Sequence, residues 1–359
     1  MDLKQLQGLP DGQVKAHLLC RERMGHRLST AATDELKQIE MREAARLLEK
    51  RTLLEAPFAH LPPLPPALPE YFDRTTEFGP SDRDFFTWCI EGKTDAVEGY
   101  IGAQEGRASR TLLQRGLESA CEGGRVQVAR YLLQKGAFLH GYAIERACHR
   151  CDLALFEAFI EHGWHPNQQV PSIQGHFGVA LPHCTQDLQT VQFLLVHGAD
   201  PNLGAFDGRK IAGLGSTPPM DRNSGRALNT AAYRGNIAVI NLLLEHGAVL
   251  EWSTPLHQML HAKESWQENR PAFVHLLHLG ADPNRNIHFS HGNQWEMGRP
   301  LHWAIRTHNW DAVELLLESG ADPEINNISA YLIALRESEE TKDKVKEIIR
   351  RTSLKSKAS

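Results

Sequence analysis

Gly198-Ala199-Asp200-Pro201-Asn202 returns as Gly280-Ala281-Asp282-Pro283-Asn284 and again as Gly320-Ala321-Asp322-Pro323-Glu324. Weaker copies stand at Gly247-Ala248, at Gly163-Trp164-His165-Pro166-Asn167 and at Gly136-Ala137. An apolar pair precedes each one: Leu132-Leu133, Phe159-Ile160, Leu194-Leu195, Leu243-Leu244, Leu276-Leu277 and Leu316-Leu317. Self-similarity at about 33 residues marks a stacked array of two-helix units, whose output is generally a surface.

Working upstream from the glycines recovers the rest of each unit. His302, in Pro300-Leu301-His302-Trp303-Ala304, lies 18 residues before Gly320, and Asn229 lies 18 before Gly247. Thr254-Pro255-Leu256-His257 is a complete Thr-Pro-Leu-His. Proline suits a first helical turn, where its missing N–H costs nothing, and Thr254 just before it can cap exposed amides. Small residues such as Ala304, Ala231, Ala147 and Ala120 let paired helices approach closely. Glycine then supplies a left-handed helix end, and Asp-Pro starts a turn.

These features resemble the ankyrin repeat, from about Phe85 to about Arg351, roughly three quarters of the chain. The resemblance implies an all-α solenoid of helix-turn-helix repeats that binds proteins on its concave face and loop fingers. It also implies that the motif histidine bonds backbone across adjoining units. That role carries to His257 and His302, in part to Asn229, and not to Glu118 or Glu145.

The expected organisation is an N-terminal helical segment at 1–55, a proline-rich linker at 56–80, and about seven repeats with closing helices at 81–352. A disordered basic tail is expected at 353–359. The prolines from Leu61 to Pro69 favour an extended spacer, with docking on a proline-reading domain as the lesser alternative. Glycine-to-glycine steps of 27, 35, 49, 33 and 40 residues are irregular. They place excursions at Leu203 to Ser224 and Arg285 to Gly298, with a surplus between helices at Lys263 to Arg270. Insertions in repeat proteins map to loops, often on the binding face, although drift in solvent-facing loops gives the same pattern.

Candidate partner contacts are therefore Trp164 and His165 in one finger, Phe206, Asp207 and Arg209 in the long loop, and Phe289, Trp295 and Glu296 in the later insertion. Aromatic residues in loops suit interface anchors; folding back as local packing is the alternative. The structural motif residues are Thr254, Pro255, Leu256 and His257 with Pro300, Leu301 and His302.

Other chemistries find little support. Cys148-His149-Arg150-Cys151 has the spacing of half a zinc site, but no second half follows. No nucleophile elbow, phosphate loop or dinucleotide fingerprint occurs, so neither catalysis nor a cofactor is expected. A net charge of −5 argues against nucleic acid, and no apolar run is long enough for membrane insertion. Six cysteines without a disulfide-like framework suit a reducing compartment, the cytoplasm first with the nucleus left open. Arg350-Arg351-Thr352-Ser353 resembles a basophilic kinase site. Leu9-Pro10-Asp11, with Val14, Leu18, Leu19 and Cys20, resembles the opening of an F-box, although the later part of that pattern is absent. It leaves a ubiquitin-ligase adaptor as the alternative to a protein-binding scaffold.

Overall fold

A computed structural model describes residues 10–23, 29–69, 78–104, 108–171, 178–206, 218–261, 266–286, 298–324 and 338–358. The chain separates into two units, Met1–Pro62 with Ile211–Pro219, and Pro63–Lys210 with Met220–Ser359.

The smaller unit contains α1 (Asp11–Arg23) and α2 (Thr30–Glu55). Ser29 starts α2 by accepting the Ala32 N–H at 3.3 Å. Val14 and Leu18 pack on Ala32, Leu36 and Ile39. Asp11 receives Arg42, and Glu43 receives Lys15, along the seam. Only the first half of α2 is covered in this way. Further along, Met41, Leu48 and Leu53 are exposed.

The larger unit stacks seven pairs among its described residues. They are α3 (Pro80–Glu91) with α4 (Thr94–Ala103), α5 (Arg110–Gly123) with α6 (Val126–Gln134), and α7 (Gly141–Arg150) with α8 (Leu153–Glu161). A single 3-10 turn, Leu181–His183, pairs with α9 (Leu188–Val196). Then follow α10 (Arg226–Tyr233) with α11 (Ile237–Glu245), α12 (Pro255–His261) with α13 (Trp266–His278), and α14 (Pro300–Arg306) with α15 (Trp310–Glu318). First helices pack on first helices and second on second, so one continuous core runs through the stack from Phe85 to Ile348. Each pair shows too little apolar surface to fold alone, which is why the neighbour must supply a wall.

Each second helix from α6 to α15 ends in the same way, whereas α4 ends on Gln104. The finger glycines take φ between +84° and +100°, a conformation that a Cβ penalises, and the next N–H reaches back five residues. Thus the Ala199, Ala281 and Ala321 N–H groups donate to the Leu194, Leu276 and Leu316 carbonyls at 2.8–2.9 Å. Second helices begin on Asp152, Asp187, Asn236 and Asn309, whose side chains accept an N–H three residues on. Unlike Gly92, Gly124 and Gly235, which take the left-handed step just before this cap, Cys151 and His308 do so with side chains, at φ 49° and 55°.

Several elements differ from the sequence expectation. The segment expected as a spacer lies against the larger unit from Leu64 onward. Leu68 is buried and donates its N–H to the Gln169 carbonyl at 2.9 Å, Gln168 donates to the Pro66 carbonyl at 3.1 Å, and Leu64 packs on Val179, Leu203 and Met220. Proline's lack of N–H leaves carbonyls to be met by a donor from elsewhere, here Gln168. Of the surplus expected at Lys263 to Arg270, Trp266 to Arg270 belong to α13 and Lys263 to Ser265 lie outside the described residues; Pro271 then interrupts one hydrogen bond within that helix. The 203–224 excursion begins and ends as a two-residue antiparallel ladder, β1 (Gly204–Ala205) on β2 (Met220–Asp221). At the far end α16 (Glu339–Ala358) closes the core with Val345 and Ile348 and continues through residues expected to be disordered. Thr352, in the kinase-like sequence, is buried with its hydroxyl donating to the Ile348 carbonyl at 3.0 Å. The other half of the expected closing pair lies outside the described residues.

Candidate partner-binding surface

Two rows of residues line the larger unit, one on the fingers and one on the first helices. The fingers are held by three asparagines that sequence reading passed over as mere members of the phrase. Asn167 donates through Nδ2 to the Gly198 carbonyl at 2.9 Å and accepts the Asp200 N–H at 2.8 Å. Asn202 does the same to Gly247 and Val249 at 2.8 and 2.9 Å, and Asn284 to Gly320 and Asp322 at 2.9 and 2.8 Å. One carboxamide therefore satisfies an acceptor and a donor of the next finger at once. The signal was present in the sequence: asparagine stands four residues after glycine in each of these copies.

First helices are tied by the residues the ankyrin resemblance pointed to. His257 is 1% exposed and donates from Nε2 to the Gly298 carbonyl, at 3.1 Å, just before the next first helix. Burial pushes its pKa down to about 4, against a smaller opposing effect of that hydrogen bond, so the ring is neutral. Asn229 accepts the Thr254 N–H at 2.7 Å, again across units. His302 accepts the Arg299 N–H at 3.4 Å within its own unit. Pro255, Leu256, Pro300 and Leu301 are buried, and Thr254 is half-buried. Glu118, at the equivalent place, instead takes Arg115 at 2.7 Å; burial raises its pKa while Arg115 opposes the rise.

One turn beyond the motif histidine, side chains emerge. Tyr233 on α10, His261 on α12 and Arg306 on α14 are all exposed, Tyr233 to 38%. Between them stand Thr230, Gln258 and Trp303, half-buried. The His261 and Trp303 rings lie 4.5 Å apart, and the Arg306 guanidinium sits 5.3 Å above Trp303. Aromatic and cationic groups held on packed helices are the composition that interface centres favour. Toward the other end the same face is more acidic, with Glu122 exposed and Glu118 and Glu145 beside Arg115 and Arg146.

The loop candidates fare differently. Trp164 is 3% exposed, stacked on Phe156 at 5.5 Å and edge-on to Phe159 at 6.3 Å, so its role is packing and not contact. It fills the place where Ala137, Ala199, Ala248, Ala281 and Ala321 are buried in the other copies. Phe206 is likewise buried at the end of β1. His165 is half-buried and shapes its own finger: Nδ1 accepts the Asn167 N–H at 3.1 Å. Asp207, Arg209, Phe289, Trp295 and Glu296 lie outside the described residues. The resemblance implied a binding face that includes the first helices, but the residues named for it lie in loops, and none stands on a first helix. The signal for that face was the run of Tyr233, His261 and Arg306, each four residues after the motif histidine or its equivalent.

The Cys148–Cys151 pair serves the core. Cys148 donates to the Ala180 carbonyl at 3.9 Å, Cys151 to that of Cys184 at 3.8 Å, and burial raises the Cys184 thiol. A thiol so raised is held in the un-ionised form. Among the described residues, no helix is long and apolar enough to cross a membrane.

Residues 299–328, spanning α14 and α15, match the family model of the ankyrin repeat. Among solved structures the chain is similar to the human ASB11 ankyrin repeat domain, at 20% identity and a TM-score of 0.33, over 76% of this chain and 98% of that one. Comparison with curated proteins finds no match.

Proposed function

We propose that this ankyrin repeat chain is a non-catalytic module that captures a protein partner on the face formed by its first helices. The observation that supports this reading is the exposed row of Tyr233, His261 and Arg306 with Trp303 beneath, presented by helices whose opposite faces are sealed in the core. Rigid aromatics cost little entropy on binding, and arginine adds a directional donor for a partner carboxylate. His257, beneath this row, is occupied in a structural bond to the Gly298 carbonyl.

The test is affinity capture from source cells with the full chain and two variants. Tyr233→Ala combined with Arg306→Glu is expected to lose the bound protein. Glu245→Lys, on a second helix, is expected to keep it. Equal capture by all three would defeat the proposal. The adaptor alternative draws support from Met41, Leu48 and Leu53, exposed on α2. It predicts that ligase subunits co-purify with the chain and vanish on Met41→Glu with Leu48→Glu, while the first-helix partner stays.

A further inference from the structure

The asparagine stitch is missing between the fingers of Gly247 and Gly280, and an open cleft stands there. Four fingers share one internal bond, from the N–H five residues after glycine to the carbonyl two after it. It runs from Gln168 to His165 at 2.8 Å, Leu203 to Asp200 at 3.2 Å, Trp252 to Val249 at 3.2 Å and Arg285 to Asp282 at 3.3 Å. The residue four after glycine therefore occupies the same position in each: Asn167, Asn202, Glu251 and Asn284. Glu251 is exposed, and an ionised carboxylate has no N–H to give the next finger.

The two groups it would have met are the Gly280 carbonyl and the Asp282 N–H. Among the described residues neither has a hydrogen-bond partner. Beside them is a cleft of about 110 Å³, lined on one side by Glu251, Ser253 and Thr254 and on the other by Gly280, Asp282 and Arg285. That is room for several waters, or for a CH2–CONH2 group. Among the described residues the Gly136 and Gly163 carbonyls are likewise without a partner, but the N–H groups beside them are covered, so the paired vacancy of carbonyl and N–H sets this finger apart. His140 replaces asparagine in the finger before Gly163, and there the His165 N–H is taken by Gln168 Oε1 at 3.0 Å.

We infer that this cleft recognises a primary carboxamide, the side chain of an asparagine or glutamine on a protein partner. Its NH2 donates to the Gly280 carbonyl and its oxygen accepts the Asp282 N–H, as the chain's own asparagines do at three other fingers. That the occupant belongs to a protein rests on the function proposed above. A main-chain peptide unit does not substitute, because its N–H and C=O point in opposite directions across the trans bond. A carboxylate lacks the donor and would meet Glu251 and Asp282. Trp252, next to Glu251 and 38% exposed, offers apolar surface to the residues flanking the amide.

The test titrates the full 15N-labelled chain with acetyl-Gly-Asn-Gly N-methylamide, and with versions carrying Gln, Asp or Leu at the centre. The Asp282 amide resonance is expected to shift saturably, at millimolar peptide, with Asn or Gln and not with Asp or Leu. Glu251→Asn installs the residue that fills this position in the neighbouring fingers. It is expected to abolish the shift and to slow hydrogen exchange at Asp282 at least tenfold. No saturable shift with the Asn and Gln peptides, an equal shift with Asp or Leu, or an undiminished shift in Glu251→Asn overturns the inference. Missing peptide shifts with partner capture intact would remove this site alone. Intact shifts with capture unaffected by Tyr233→Ala and Arg306→Glu would remove the first-helix reading instead.

Discussion

Replacing Asn202 with alanine tests whether the fingers are stitched as the geometry indicates. The substitution removes two hydrogen bonds at once, to the Gly247 carbonyl at 2.8 Å and from the Val249 N–H at 2.9 Å. A net bond contributes about 0.5–1.5 kcal/mol, so the pair is worth about 1–3 kcal/mol if its partners stay dry. Asn202 and Val249 are half-buried, and water can reach the freed groups, which brings the expectation to about 1–2 kcal/mol. Asn202→Asp separates the two bonds. It keeps an acceptor for Val249 and loses the donor to Gly247, and it sets a carboxylate against a carbonyl, so its cost should match or exceed that of alanine. Urea unfolding measures the loss, and hydrogen exchange at Val249 reports where it falls. An alanine variant within ~0.3 kcal/mol of the parent, with unchanged exchange at Val249, would refute the stitch as a source of stability.

Three further outcomes are expected. Trp164→Ala restores the residue common at that place, yet it should cost about 3–5 kcal/mol in urea unfolding, because Phe156 and Phe159 are arranged around the indole. For His257 the folded pKa near 4 lies below the ordinary 6.5, so its contribution is complete above pH 6.5 and is lost as pH falls toward 4. The loss is roughly 3 kcal/mol at about 1.4 kcal/mol per unit, with Asp282, Arg285 and His302 as the charged neighbours, and His257→Asn should flatten that slope in stability measured from pH 7 to 4. His308→Gly relieves a left-handed side chain worth about 1 kcal/mol but forfeits an edge contact with Trp310 at 5.6 Å; the melting temperature should rise by a few degrees, and a fall would show that the ring matters more than the strain.

Much of the stack was legible because its rules are local. A glycine that must take positive φ, a proline that must start or stop a helix, and an apolar stripe on the second helix are all written in consecutive residues. The fourth unit was less legible. Its first helix is reduced to Leu181–His183, beside a bridge between Val170 and Gly178, and no apolar period survives in so short a piece. Trp164 misled because its type was read without its register: an aromatic in a finger suggests an anchor, whereas the residue after the finger glycine is buried in every copy. The proline segment misled for a related reason. Its lack of donors does favour an extended chain, but an extended chain with Leu64 and Leu68 on it can still dock.

Glu251 is informative because the unit around it is otherwise fully tied to its neighbours. Asn229 reaches forward to Thr254, His257 reaches forward to Gly298, and Trp266 and Arg270 both reach Asp311, at 2.8 and 2.7 Å. Continuity of the array at this point is therefore carried by helices, and the finger can go without its clamp at small cost in stability. Where asparagine is missing at the other finger, a nearby polar side chain covers the amide alone, as Gln168 covers that of His165. No described residue does so at Gly280 and Asp282, although Ser253 and Thr254 line the same cleft. A repeat protein recognises itself through its fingers. Where it withholds that contact and keeps the geometry, an incoming carboxamide has no internal bond to displace, and the backbone groups it meets are already fixed in place.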